Sequence, residues 1–454
     1  MKALFLGRIV IFGYGMVGQS FYRLLKEEVK FKDEKLFVID KDELNRKTFV
    51  EEGGRATNFH AINVTKQNYQ ELYQSILKPG DALLDFSEST GNIDSLTWCL
   101  ENNVHYLSTS SSNWLEDNED ATSYANFLEL KALSKKYQKG SASSVIEIGA
   151  NPGLVSLFVK RCLREIISCE TENYADDDFE NLIAADDYAL LAKKIGVETI
   201  IISDLDTLST AGNEEDEDFL ANTWSPVGLY DEAVSLIELH LGTSFDLQKL
   251  DGKIKKYNAE DGYAKLNIRG IDTLEKTYYP GGYFYGSIIT HEEALSLGAH
   301  LTVLNQAGER VYSPTVYFSY RPSTKAFNAL QKIRLKNYEK PKSFVKLTSE
   351  ISSGSEYLGV ILTGEKLGSY YFGTAVDIDT VRLKRPQETP TIIQVTATAI
   401  SGFKWIIANP KNGLLFPEEL PEDFILENAE KYLGTYNFHK VDKKFTALAG
   451  IINN

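Results

Sequence analysis

The chain has 454 residues, 43% apolar, 25% charged and 11% aromatic, which is core-forming material for two or three folding units and excludes general disorder. Its 48 Lys and Arg against 64 Asp and Glu give a formal charge of −16, which argues against a nucleic-acid partner and suits cationic small molecules. Three cysteines, Cys99, Cys162 and Cys169, without CxxC spacing suggest neither a disulfide framework nor a zinc site, and a reducing cytoplasm fits them.

The N-terminal run MKALFLG is interrupted by Arg8 and has no small-residue cleavage site before the glycines, so it is not read as a secretory signal. Residues 8–12, RIVIF, predict a strand that ends in Gly13, Tyr14, Gly15, Met16, Val17, Gly18. The QSFYRLLKEEV that follows has helical spacing. KLFVID predicts a second strand ending at Asp40, and the runs at 82–86 and 104–107 predict two more, each after a helical stretch. SVIEIGANPGLVSLFVKRCL reads as strand, Asn-Pro-Gly turn and helix. From about 196 to 400 the strands shorten and alternate between Gly, Asn and Asp turns, predicting a largely antiparallel or mixed sheet. NEEDED, 213–218, reads as a solvated loop. TIIQVTATAISGFKWIIANP reads as a Thr-rich strand joined to a helix, and the uncharged stretch Pro390 to Phe403 is too short to span a membrane. The expected fold is α/β: a Rossmann-like doubly wound parallel sheet over 1–150, an α+β catalytic and dimerisation domain over 151–395, and a segment 396–454 packing back on the first domain.

The glycine motif carries the most specific chemistry. Gly13 permits the tight turn, Gly15 lets the backbone approach a pyrophosphate, and Gly18 allows helix and strand to pack closely, with Met16 and Val17 at the helix start. Asp40, at the next strand end, can accept from a ribose diol and would repel a 2′-phosphate, which favours NAD over NADP, with Lys41 beside it a contrary sign. Ser87 and Thr109, just past the strands at 82–86 and 104–107, are further expected cofactor positions, with Asn151 and Pro152. The Asn151 turn is either a plain turn or an amide that reaches the nicotinamide. Trp224, in NTWSPVG, is either a core residue or a face for an organic cation, with Glu232 eight residues on. In IITHEEALS, strand alternation would place His291 and Glu293 on one face as an acid–base pair or cation clamp. Leu295 stands four residues after His291, so this is not HExxH, and no metal site is expected.

Together these motifs, with FGYGMVGQS, IGANPGLVSLFVK and SGSEYLGVIL, resemble the bacterial homospermidine synthases within the saccharopine dehydrogenase-like group, along nearly the whole chain. The resemblance implies a homodimer with NAD held as a prosthetic group. Putrescine is oxidised to an imine, a second putrescine displaces ammonia, and the same NADH reduces the product to homospermidine. It also implies roles: Trp224 as the cation-π residue, Asn151 near the nicotinamide, Glu232 as a substrate-binding carboxylate, His291 with Glu293 on the inner amine, and Glu356 where the family usually has Asp. Asp204 replaces the family's key glutamate, with Asp206 as a structural partner, and Ser112 or Asn113 stands at another acidic position. The other readings are a saccharopine dehydrogenase-like or carboxynorspermidine-type oxidoreductase with net NAD(P)H turnover, or a redox sensor without amine chemistry.

Overall fold

The computed structural model describes residues 2–88, 90–114, 122–170, 178–211 and 219–452; the 213–218 loop lies outside the described residues. The chain divides into two compact units. One comprises Met1–Leu157 with Ile392–Tyr432, the other Phe158–Thr391 with Leu433–Asn454.

The first unit is built on parallel strands β1 (Ile9–Phe12), β2 (Leu36–Asp40), β3 (Phe59–Ala61), β4 (Ala82–Asp85), β5 (His105–Ser108) and β6 (Ser144–Val145). Their spatial order is 3-2-1-4-5-6, the doubly wound arrangement, with Leu414–Leu415 paired as a seventh parallel strand on β6. Strands buried on both faces read as continuous apolar runs, and Ile9, Val10, Ile11, Leu83 and Leu84 are all fully buried. Helix α1 (Met16–Glu28) follows β1 and buries Phe21, Leu24 and Leu25.

The Pro390–Ala408 helix corrects the sequence reading, which placed a strand over its Thr-rich start. β-Branched residues favour strands by propensity, but here Thr396, Thr398 and Ser401 return their hydroxyls to the carbonyls of Ile392, Gln394 and Ala397, one turn back, and need no outside partner. At 19 residues the helix is also longer than the uncharged run suggested. By length and composition it could cross a membrane, yet 78% of its apolar stretch is buried. Within the first unit Phe403 packs on Phe5 at 5.5 Å, and Thr396 meets Ser20 at 2.9 Å.

Helix α2 (Leu154–Cys169) carries the chain onward. The second unit's mixed sheet contains β7 (Thr199–Asp206), β8 (Leu236–His240), β9 (Ile254–Tyr257), β10 (Tyr263–Arg269), β11 (Glu275–Tyr279), β12 (Gly282–Ile289), β13 (Thr315–Arg321), β14 (Ser355–Gly364) and β15 (Gly368–Asp377). The order is β9-β10-β8-β13-β7-β14-β15, with β12 also on β13 and β11 on β12. Only the β7–β13 pair among these is parallel. The strand Asn437–Lys440 closes the edge on β15, so 433–454 belong to this unit, whereas the sequence reading kept 396–454 together on the first.

Candidate active site

In the first unit, the residues expected to hold a dinucleotide gather at the carboxyl ends of the parallel strands. Gly13 has φ +83°, and a Cβ there would lie 2.7 Å from the Phe86–Ser87 backbone, so the β1 turn runs against the end of β4 beside Ser87. A Cβ on Gly18 would lie 2.1 Å from the Gly13 carbonyl, which is the close approach expected of the third glycine. Gly15 is the N-cap of α1 without a side-chain cap, and no acidic residue occupies the first turn at Met16 and Val17. The helix N-terminus therefore presents free N–H groups and its positive dipole end to an anion.

Asp40 ends β2. Its Oδ2 accepts from the Tyr14 N–H at 2.5 Å, and its Oδ1 accepts from the Asp42 N–H at 2.7 Å and Asn45 Nδ2 at 3.2 Å. These bonds aim the carboxylate at the glycine turn and leave it lone pairs for a ribose diol. Thr109 follows β5 and packs against Gly149, and Asn151 and Pro152 form the turn between β6 and α2. A Cβ on Gly15 would meet nothing within 4 Å, so the space beside it is open. The residues present thus fit a dinucleotide. Gly15→Ala is expected to leave the melting temperature unchanged while weakening dinucleotide binding about tenfold, a loss of about 1.4 kcal/mol measurable by titration.

In the second unit, register brings a second set of residues onto one face of the sheet. Asp204 lies opposite Tyr320 on β13 and Leu358 on β14, and Asp206 lies opposite Glu356. By alternation Asp204, Asp206, Glu356, Phe318 and Tyr320 share that face, and the three carboxyl residues are 3–4% exposed. The Thr391 hydroxyl donates to Glu356 Oε2, and the Thr223 hydroxyl donates to Asp206 Oδ2 at 2.7 Å. Burial, with Asp204 and Asp206 beside it, pushes the Glu356 carboxyl well above its usual range. Burial likewise raises Asp206 to about 6 against the bonds it accepts from Thr223 and the Leu208 N–H. Asp206, expected as a structural partner alone, is part of the same charged group.

Trp224 precedes α3 (Pro226–Val234), which Ser225 caps by accepting from the Gly228 N–H. Half-buried, its indole Nε1 donates to Tyr320 Oη at 3.0 Å, which holds the ring by one edge. Tyr320 stacks on Phe318 at 5.8 Å and 14°, and Phe318 meets His291 edge-on at 4.9 Å. Sequence reasoning missed Phe318 and Tyr320, although the alternation of TVYFSY puts both on one face.

His291 Nδ1 is bonded to Glu293 Oε2, but not by strand alternation as expected. β12 ends at Ile289, and Glu293 opens helix α4 (Glu293–His300), so a turn folds the two together. Burial lowers the His291 pKa, but the charges of Glu293, Glu292 and Glu232 outweigh it and raise it to about 10. The Glu232 carboxyl on α3 is pushed up to about 8 by burial, against the opposing charge of His291. Among the described residues, Glu232 Oε2 and Glu293 Oε1 are buried without a hydrogen-bond partner. The ligand atoms of His291, Glu292 and Glu293 lie within 4.8 Å of one another, a spacing that could hold a divalent ion where the sequence led to no expectation of one. Ser112 and Asn113 bond to Asn92 and Asn126, so that position carries no charge here.

The doubly wound sheet, with the glycine turn and Asp40 at the carboxyl ends of its strands, defines a Rossmann-type dinucleotide-binding enzyme. Residues 9–145 match the saccharopine dehydrogenase NADP-binding domain family. Over 452 residues, 96% of this chain and 90% of the relative, the sequence is 30% identical to the homospermidine synthase of Mesorhizobium japonicum. It is 29% identical to that of Blastochloris viridis, over 94% of this chain and 90% of that one. The chain belongs to the homospermidine synthase family. A crystal structure of the Legionella pneumophila homospermidine synthase in complex with NAD superposes with a TM-score of 0.86 at 28% identity, covering 97% of this chain and 93% of that one. Apo saccharopine dehydrogenase of Saccharomyces cerevisiae shares the fold, with a TM-score of 0.54 at 12% identity over 96% of this chain and all of that one.

Proposed function

We propose that the protein is a homospermidine synthase that converts two putrescines to sym-homospermidine and ammonia with NAD as a recycled cofactor. The observation that carries this reading is the shared sheet face of Asp204, Asp206 and Glu356 beside the Trp224–Tyr320–Phe318 series, a lining suited to a dication. A carboxylated substrate would instead want Arg or Lys. Arg269, however, donates to the Val234 carbonyl and lies over the Tyr338 ring, and Arg321 lies over Phe327.

Gly13, Gly15, Met16, Val17, Gly18, Asp40, Ser87, Thr109, Asn151 and Pro152 would hold the dinucleotide, with Asp40 opposing a 2′-phosphate. When bound, NAD supplies the hydride acceptor and donor. Trp224 and Glu232 receive one ammonium, and Asp204, Asp206 and Glu356 fix the register of the other. Asp204 reaches about 1.5 Å less far than a glutamate would, one C–C bond, which draws the amine toward β7. An amine must lose its proton before its carbon can give up hydride, and a carboxyl group of this set that has ionised on amine binding can accept it. His291, held as an imidazolium by Glu293, can protonate departing ammonia. The free thiols Cys99, Cys162 and Cys169 support a reducing cytoplasm, and the −16 charge disfavours nucleic acid. A homodimer rests on the family resemblance.

Incubation with putrescine and substoichiometric NAD, followed by amine mass and NADH absorbance together, tests the reading. Many homospermidines per NAD without NADH accumulation are expected. NADH rising in step with an oxidised product would point to an ordinary dehydrogenase.

A further inference from the structure

Glu147 stands two residues past β6 and two before Gly149. Its φ is +60°, in the left-handed region that a glutamate rarely adopts, and it is 3% exposed. A buried carboxyl group on a strained backbone is doubly unfavourable and persists where its surroundings over-determine it, commonly at functional sites. The Ser111 hydroxyl donates to Glu147 Oε1 at 2.6 Å, and the Ser111 carbonyl accepts from Asn126 Nδ2 at 3.0 Å. The side chain is thereby tied to the segment leaving β5, which carries Thr109. The backbone of Glu147 belongs to the other segment. Its carbonyl would lie 2.9 Å from a Cβ on Gly153, directly beside the Asn151 turn, and Gly149 packs on Thr109.

The geometry points to Glu147 as a positioning residue that fixes the Asn151 turn against the Thr109 segment, and so sets the pocket wall met by the dinucleotide. This rests on the reading that Thr109 and Asn151 serve the cofactor. Glu147→Gly relieves the left-handed backbone while removing the carboxyl group. Its melting temperature is expected to equal or exceed that of the native protein. NADH affinity, read by fluorescence without amine, is expected to fall ~10-fold and kcat by ~10- to 100-fold, with the putrescine KM within about twofold.

Ser111→Ala, which leaves the backbone untouched, is expected to shift NADH affinity in the same direction. Glu147→Gln, whose amide oxygen still accepts from Ser111, is expected to stay within about threefold of the native affinity. Native NADH affinity in Glu147→Gly and Ser111→Ala would overturn the assignment, as would losses that only track lowered melting temperatures. Because the fluorescence titration needs no amine, a native protein that binds NADH but makes no homospermidine would sink the synthase reading and leave this test standing.

Discussion

Trp224→Ala is expected to raise the putrescine KM ~30-fold while leaving NAD retention unchanged, since a desolvated cation over an indole face gains about 2 kcal/mol. The ring is held at Nε1 by Tyr320, so its orientation is set by the protein and not by the ligand. Trp224→Phe keeps a face but loses that bond, and is expected to recover part of the affinity. Steady-state kinetics with putrescine, together with the NAD content of the purified protein, checks this. Equal loss of amine use and NAD would assign Trp224 a packing role.

Putrescine binding at pH 7 is expected to release protons. Glu232 is held up to about 8 and Asp206 to about 6 in the free protein, and Glu356 is raised as well. An arriving ammonium favours the charged form of each, so their pKa values fall and protons leave, about one per putrescine bound. Affinity for the dication should therefore climb by up to about tenfold per pH unit between roughly pH 6 and 8, then level off as these groups are already ionised. The stability of the free protein moves the other way. A raised carboxyl pKa contributes stability that is present below the ordinary carboxyl range and is lost as pH rises through about 8 at Glu232. Calorimetry in buffers of different ionisation enthalpy counts the protons, and a value of zero at pH 7 would mean that these carboxyl groups do not meet the amine.

Much of the nucleotide unit was legible because its signals are local. The glycine turn, the strand before it and Asp40 lie within one βαβ segment, where spacing alone specifies the geometry. The carboxyl-lined face of the second unit was not legible in its construction. Nothing in the sequence puts Glu356 opposite Asp206, because strand register across 150 residues is a tertiary outcome. His291 and Glu293 were identified as a pair for the wrong reason, since a helix start two residues long in its approach mimics strand alternation. The Pro390–Ala408 helix was misread at its start because the β-branched preference for strands is overruled there, where Thr396, Thr398 and Ser401 return their hydroxyls to carbonyls one turn back. Glu147 carried no signal at all, as no residue pattern announces a left-handed glutamate.

The seventh strand of the nucleotide sheet, Leu414–Leu415, comes from near the far end of the chain. On a ribosome adding roughly 5–20 residues per second, β6 must wait tens of seconds for that neighbour and for the helix that covers Phe5. During that interval the first 157 residues expose an open sheet edge and an uncovered apolar face. The nucleotide-binding unit is thus discontinuous in time as well as in sequence, since its seventh strand is made about 270 residues after the strand it pairs with.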